Sequence, residues 1–122
     1  MRSAKFSMLF LIVLAAAIVA NSLYISHVTK ELAKKADAIS THDMQECKTE
    51  YMKLFSEFRR AEKFISITVS HDDLTNIEES FADIIGAAEA GVEANVIMIK
   101  SRLKDSLEHL GRLSSINLDS II

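Results

Sequence analysis

The sequence predicts an all-α protein: an N-terminal transmembrane helix that continues into a small antiparallel bundle of three to four helices. Three observations carry this. Met8–Ala20 reads MLFLIVLAAAIVA without a charge. With Phe6 and Leu23-Tyr24-Ile25 the apolar stretch reaches about twenty residues, the helical length that crosses a bilayer's hydrocarbon core. The chain has no proline and only three glycines, Gly86, Gly91 and Gly111, too few breakers for a turn-rich β fold. Beyond the apolar stretch, hydrophobic residues recur at steps of three and four, the mark of helices with one buried stripe. The expected division is residues 1–25 as membrane anchor and 26–122 as bundle. The latter is about a hundred residues, enough for a single core.

Arg2 and Lys5 precede the apolar run. A secretory signal peptide ending at Ala20, with Ile18 at the third position before the cut, fits this pattern, and so does an uncleaved anchor. Leu23, Tyr24, Ile25 and Val28 favour the anchor by extending apolar character past the cut, and Tyr24 suits an interfacial position. Arg2, Lys5 and the amino terminus favour a cytoplasmic N-terminus, against the pull of Lys30, Lys34 and Lys35 on the other flank. The expected address is the cell membrane, single-pass, with the bundle extracytoplasmic.

Ile25, Val28, Leu32, Ala36 and Ile39 continue the first helix as an amphipathic one. It should stop near Ser40-Thr41-His42, and Asp43 with Glu46 has capping-box spacing for a new start. The second helix is expected from Met44 to Val69, with Met44, Cys47, Tyr51, Leu54, Phe58, Ala61 and Ile65 as a coiled-coil-like seam. Phe55 and Phe64 should widen that seam into a multi-helix core. Phe64-Ile-Ser-Ile-Thr-Val69 is β-branched, yet no second strand signal exists to pair with it. Ser70 and Asp73 have N-cap spacing for the third helix, whose seam is Leu74, Ile77, Phe81, Ile84 and Ala88. Gly91 is its natural stop. The fourth helix should turn Val92, Val96, Ile99, Leu103, Leu107, Leu110 and Leu113 inward. Lys100, Arg102, Lys104 and Arg112 suit its negative end. After Ser114-Ser115 an apolar tail, Ile116–Ile122, has no assigned site. Short connectors make successive helices antiparallel.

The net charge is −3, and Asp72, Asp73, Glu78, Glu79, Asp83 and Glu89 lie between Ser70 and Val92 without a Lys or Arg. Nucleic acid is therefore not an expected partner, since phosphate neutralisation needs clustered cations. The acidic run reads as a solvated helix face or as an attraction for cations and basic partners. Cys47, the only cysteine, excludes an intramolecular disulfide and occupies a seam position, where a thiol is buried and inert. His42, Asp43, Glu46 and Cys47 lack metal-ligand spacing and read as capping residues. His71 beside Asp72 and Asp73 reads as a turn residue before a helix start, or as a pH-sensing imidazole. No nucleophile with a positioned base, phosphate loop or cofactor motif is present. The chain is therefore expected to be a non-enzymatic module without a cofactor.

FISITVSHDDLTNIEESFADI (residues 64–84) and KSRLKDSLEHL (residues 100–110) resemble a family of small membrane-anchored helical proteins from Gram-positive, spore-forming bacteria, a domain of unknown function. Members carry an N-terminal membrane helix and a His-x-x-Leu-x-x-Ile-Glu pattern, which falls here on His71, Leu74, Ile77 and Glu78. Phe58 stands where a Trp is common in that family. The resemblance implies no reaction; it implies a membrane setting, with a multi-pass membrane protein as partner. The apolar tail and the seams favour a partner protein or a homo-oligomer. An extracytoplasmic sensor of a ligand or cation is the alternative, and a secreted soluble bundle a second one.

Overall fold

The computed structural model describes residues 2–66 and 69–121, with side chains for 3–66 and 69–113. Four helices follow one another: α1 (Arg2–Ala38), α2 (Met44–Ile65), α3 (His71–Ala90) and α4 (Glu93–Ile121). No strand occurs among the described residues. α2, α3, α4 and the second half of α1 form an up-and-down bundle in which α1 and α3 each pack between α2 and α4. The first half of α1 projects beyond it: Phe6–Leu14 are unpacked, with large side chains 46–76% exposed. We call the end of the bundle beside that projection the near end, and the opposite end the far end.

Each helix buries most of the stripe its spacing predicts. Ile25, Leu32 and Ala36 from α1 meet Cys47, Tyr51, Leu54, Phe58, Ala61 and Ile65 from α2. Leu74, Ile77, Phe81, Ile84 and Ala88 come from α3, and Val96, Leu103, Leu107 and Leu110 from α4. Phe55 stacks on Phe81 at 5.0 Å between ring centroids, with Phe58 at 5.7 Å from the same ring. Among the described residues no buried side-chain polar atom lacks a hydrogen-bond partner.

Local chemistry sets the helix ends. The Asp43 carboxylate accepts from the backbone N–H groups of Gln45 and Glu46, at 3.0 and 3.3 Å, and starts α2. Ser70 Oγ accepts from Asp72 N–H at 3.3 Å and starts α3. Gly91, at φ +75°, ends α3 in the left-handed region. Val92 N–H donates to Ala87 C=O and Gly91 N–H to Ala88 C=O, a Schellman closure. At the C-terminus of α1, two carbonyls without intrahelical partners are met from neighbours. Tyr51 O–H donates to Ala36 C=O at 3.0 Å, and Lys100 Nζ to Ile39 C=O at 3.1 Å.

Several expectations need correction. α2 stops at Ile65 rather than Val69. Ser66 N–H still donates to Glu62 C=O at 2.8 Å and Val69 N–H to Ile65 C=O at 3.1 Å before Ser70 opens α3; β-branched residues crowd a helix, and the chain must reverse here. Ile67 and Thr68 of that stretch lie outside the described residues. Phe64 is 58% exposed and widens no core, because it sits one step off the Ala61–Ile65 seam. Val92 is 41% exposed at the far turn, not inward. α4 does not end at Ser114-Ser115 but runs on to Ile121. Two serines cost a helix little when no glycine or proline follows. The side chains of the expected tail, including Ile116, Leu118, Ile121 and Ile122, lie outside the described residues.

With α4 that long, Lys100, Arg102 and Lys104 sit in mid-helix and act between helices rather than on the helix dipole. Arg102 pairs with Asp83 at 2.7 Å and Lys104 with Asp37 at 3.8 Å. The acidic face of α3 is accordingly more than a solvated one, since Glu89 also pairs with Lys48 at 3.4 Å.

Candidate functional site

The near end collects the groups that packing alone does not explain. Helix α1 delivers Leu23 and Tyr24, both exposed. Antiparallel α2 brings Phe64 to the same level, and the Tyr24 and Phe64 rings meet edge to face, 6.1 Å apart and at 77°. Two residues back along α2, Glu62 faces Glu78 of α3. Arg59, Glu62, Lys63, Ser66 and Glu78 line a shallow cavity of about 470 Å³ there.

Glu62 is the perturbed acid of this end. Its carboxyl shares a hydrogen bond with that of Glu78, and this, with burial and the Glu78 charge, pushes its pKa up to about 7 against the pull of Arg59. In its protonated form the Glu62 carboxyl can donate to the Glu78 carboxylate across the α2–α3 seam. Arg59 is itself turned over the Phe55 ring, 4.7 Å from its centroid.

A second opening runs between α1 and α4, about 540 Å³, with Ser26, Thr29, Lys30, Ala33, Gly111 and Arg112 among its lining. It narrows to a close approach: a Cβ at Gly111 would stand 2.8 Å from Thr29 Oγ1. That hydroxyl is buried and donates back to Ile25 C=O at 2.8 Å, so it is not free to swing aside.

The sequence-predicted motif is split by the fold. Leu74 and Ile77 are core residues, His71 is the exposed first residue of α3, and Glu78 is half-buried against Glu62. His71 and Glu78 therefore flank two packing positions rather than form one constellation. His42 is exposed and Cys47 fully buried, so that cluster separates as its helical spacing requires. Burial pushes the Cys47 thiol up, against the opposing charge of Lys100, and pushes the Tyr51 phenol up. Both groups stay neutral. No group of three or more His, Cys, Asp or Glu side chains among the described residues could hold a metal ion.

Sequence reasoning missed Glu62. It lies four residues after Phe58 and beside Ala61, bordering the stripe, as Glu78 borders the α3 stripe four residues after Leu74. Two acids that each border a seam are the available signal, and they converge only once the two helices are paired.

The model of a domain of unknown function, DUF4363, matches residues 18–121. No curated protein and no solved structure matches the chain. The matched segment takes in the end of the apolar run, all of α2 and α3, and α4 to its last residue. It covers well over half of the chain, which therefore belongs to the DUF4363 family.

Proposed function

We propose that this protein is a single-pass, membrane-anchored helical module that works by association rather than catalysis. It would bind a membrane-embedded protein or a second copy of itself, with the bundle on the extracytoplasmic side. One observation carries the reading: α1 holds a stretch long and apolar enough to cross a bilayer, its side chains from Phe6 to Leu14 have no protein packed on them, and the same helix continues into the bundle core. A soluble core helix would have its apolar surface covered. The orientation rests on Arg2 and Lys5 before the span.

The test is lysine-directed crosslinking of the full chain in native membranes, followed by mass spectrometry of the adducts and of the chain's own N-terminus. The expected result is an intact N-terminus and a discrete adduct, either a homodimer or a membrane protein. A mature chain beginning at Asn21 in the soluble fraction would overturn the anchor. An intact membrane chain that yields only monomer would overturn the association.

A further inference from the structure

From the register of the helices at the near end, we infer that the bundle is seated in the interfacial layer of the bilayer that α1 crosses, with Tyr24 and Phe64 as its lipid-facing foot and the end of the α4 backbone at the same depth. This rests on the reading of α1 as a membrane span. Two contacts set the level. The Tyr24–Phe64 ring pair places the end of α2 beside the end of the apolar stretch. The approach of Gly111 to Thr29 sets α4 against α1.

From Gly111, α4 continues as helix for ten more residues to Ile121, about 15 Å at 1.5 Å per residue. The same distance back along α1 from Thr29 reaches Val19. The end of α4 therefore runs beside Val19–Ile25, at the border of the span. Burial along α1 agrees. Ser22 is only 7% exposed, and Ile18, Val19 and Asn21 are half-buried, whereas everything from Phe6 to Leu14 is open.

The surface at this level has the chemistry of a membrane interface. Leu23, Tyr24 and Phe64 are exposed and apolar or aromatic. In water such a cluster stands uncovered, while at headgroup depth an aromatic ring has both an apolar and a polar neighbour. Ser66, Ser70, His71 and Asp72 open onto the same end and keep the seat shallow, because a carboxylate does not enter the hydrocarbon. The occupant is thus the glycerol and headgroup layer.

The test uses the full chain with Cys47→Ala in phosphatidylcholine vesicles, carrying one new cysteine at a time: Leu11→Cys, His42→Cys, Phe64→Cys or Leu118→Cys. Each is labelled with an environment-sensitive fluorophore and quenched from the lipid by nitroxides at two depths, or from water by iodide. Positions 64 and 118 should lose iodide quenching and respond to the shallow nitroxide. Position 11 should respond to the deep one, and position 42 to iodide alone. Iodide access at 64 and 118 like that at 42, with position 11 still in lipid, overturns the seat and leaves the anchor standing. Iodide access at position 11 overturns the anchor and the seat together. Protection at 64 and 118 that disappears as the protein is diluted in lipid would assign the foot to a second copy, which also overturns the proposal.

Discussion

The two halves of α1 are one helix under two rules. From Phe6 to Leu14 every side chain is apolar apart from Ser7, and all stand open around the whole circumference. From Ile25 to Ala36 the apolar residues keep to one stripe and are buried, while Lys30, Glu31, Lys34 and Lys35 face out. Helix geometry is the same in both; only the angular distribution of hydrophobicity changes. An all-round apolar helix needs apolar cover on every side, and a striped one needs protein partners on one face. The difference teaches that the chain divides by the cover each half requires and not by a break in its backbone.

The comparison can be broken first at the projecting half. Leu11→Arg with Leu14→Arg should move most of the chain from the membrane to the soluble fraction, since each arginine at mid-span costs about 3 kcal/mol on insertion scales. Fractionation with immunoblotting reads this, and the bundle's helicity by circular dichroism should be unchanged. Phe58→Ala is the converse. It should cost the bundle about 3–5 kcal/mol by leaving a cavity against Phe81, lowering the denaturant midpoint while membrane partition persists. An unfolded membrane segment after Phe58→Ala would mean the two halves are not independent.

Smaller changes sharpen the boundary. Gly111→Leu should cost about 1–3 kcal/mol, as overpacking against the buried Thr29 hydroxyl pushes α4 from α1. Tyr51→Phe should cost about 1 kcal/mol, because the Ala36 carbonyl loses its donor. Both are read by chemical denaturation in detergent micelles.

The smallest effect is electrostatic. The folded-state pKa of Glu62 is raised, so its contribution is fully present below its ordinary pKa near 4.5 and is lost as pH rises through about 7. Bundle stability should therefore fall over that window. Glu62→Gln, which keeps a donor to Glu78, should flatten that part of the melting-temperature profile. An unchanged profile would remove Glu62 as the source of that pH dependence.

Most of the bundle was readable from spacing. Of the α2 seam, Cys47, Tyr51, Leu54, Phe58, Ala61 and Ile65 are buried, and Met44 is half-buried at the end where the helix begins. All five seam residues of α3 are buried as well. A period of three and four reports burial directly, because it is the helix's own geometry. Asp43, Ser70 and Gly91 were legible for the same local reason. The site was not. Phe64 looked like core because apolar identity was read without its angle. Glu62 drew no reading because its partner is on another helix. The end of α4 looked like a tail because Ser114-Ser115 was read as punctuation. Each miss concerns what a residue faces across a gap between helices, and one-dimensional spacing carries no such information.

The unbroken backbone of α1 has one more consequence. From Arg2 to Ala38 it contains neither glycine nor proline, so 37 residues form a single stiff rod about 55 Å long. A domain on a flexible tether swivels and samples a hemisphere. A bundle built around the end of a rod keeps a fixed azimuth and a fixed height relative to the other end. Any piston stroke, tilt or rotation imposed on the apolar half is delivered to α2 and α4 as a rigid-body displacement, with no joint to absorb it.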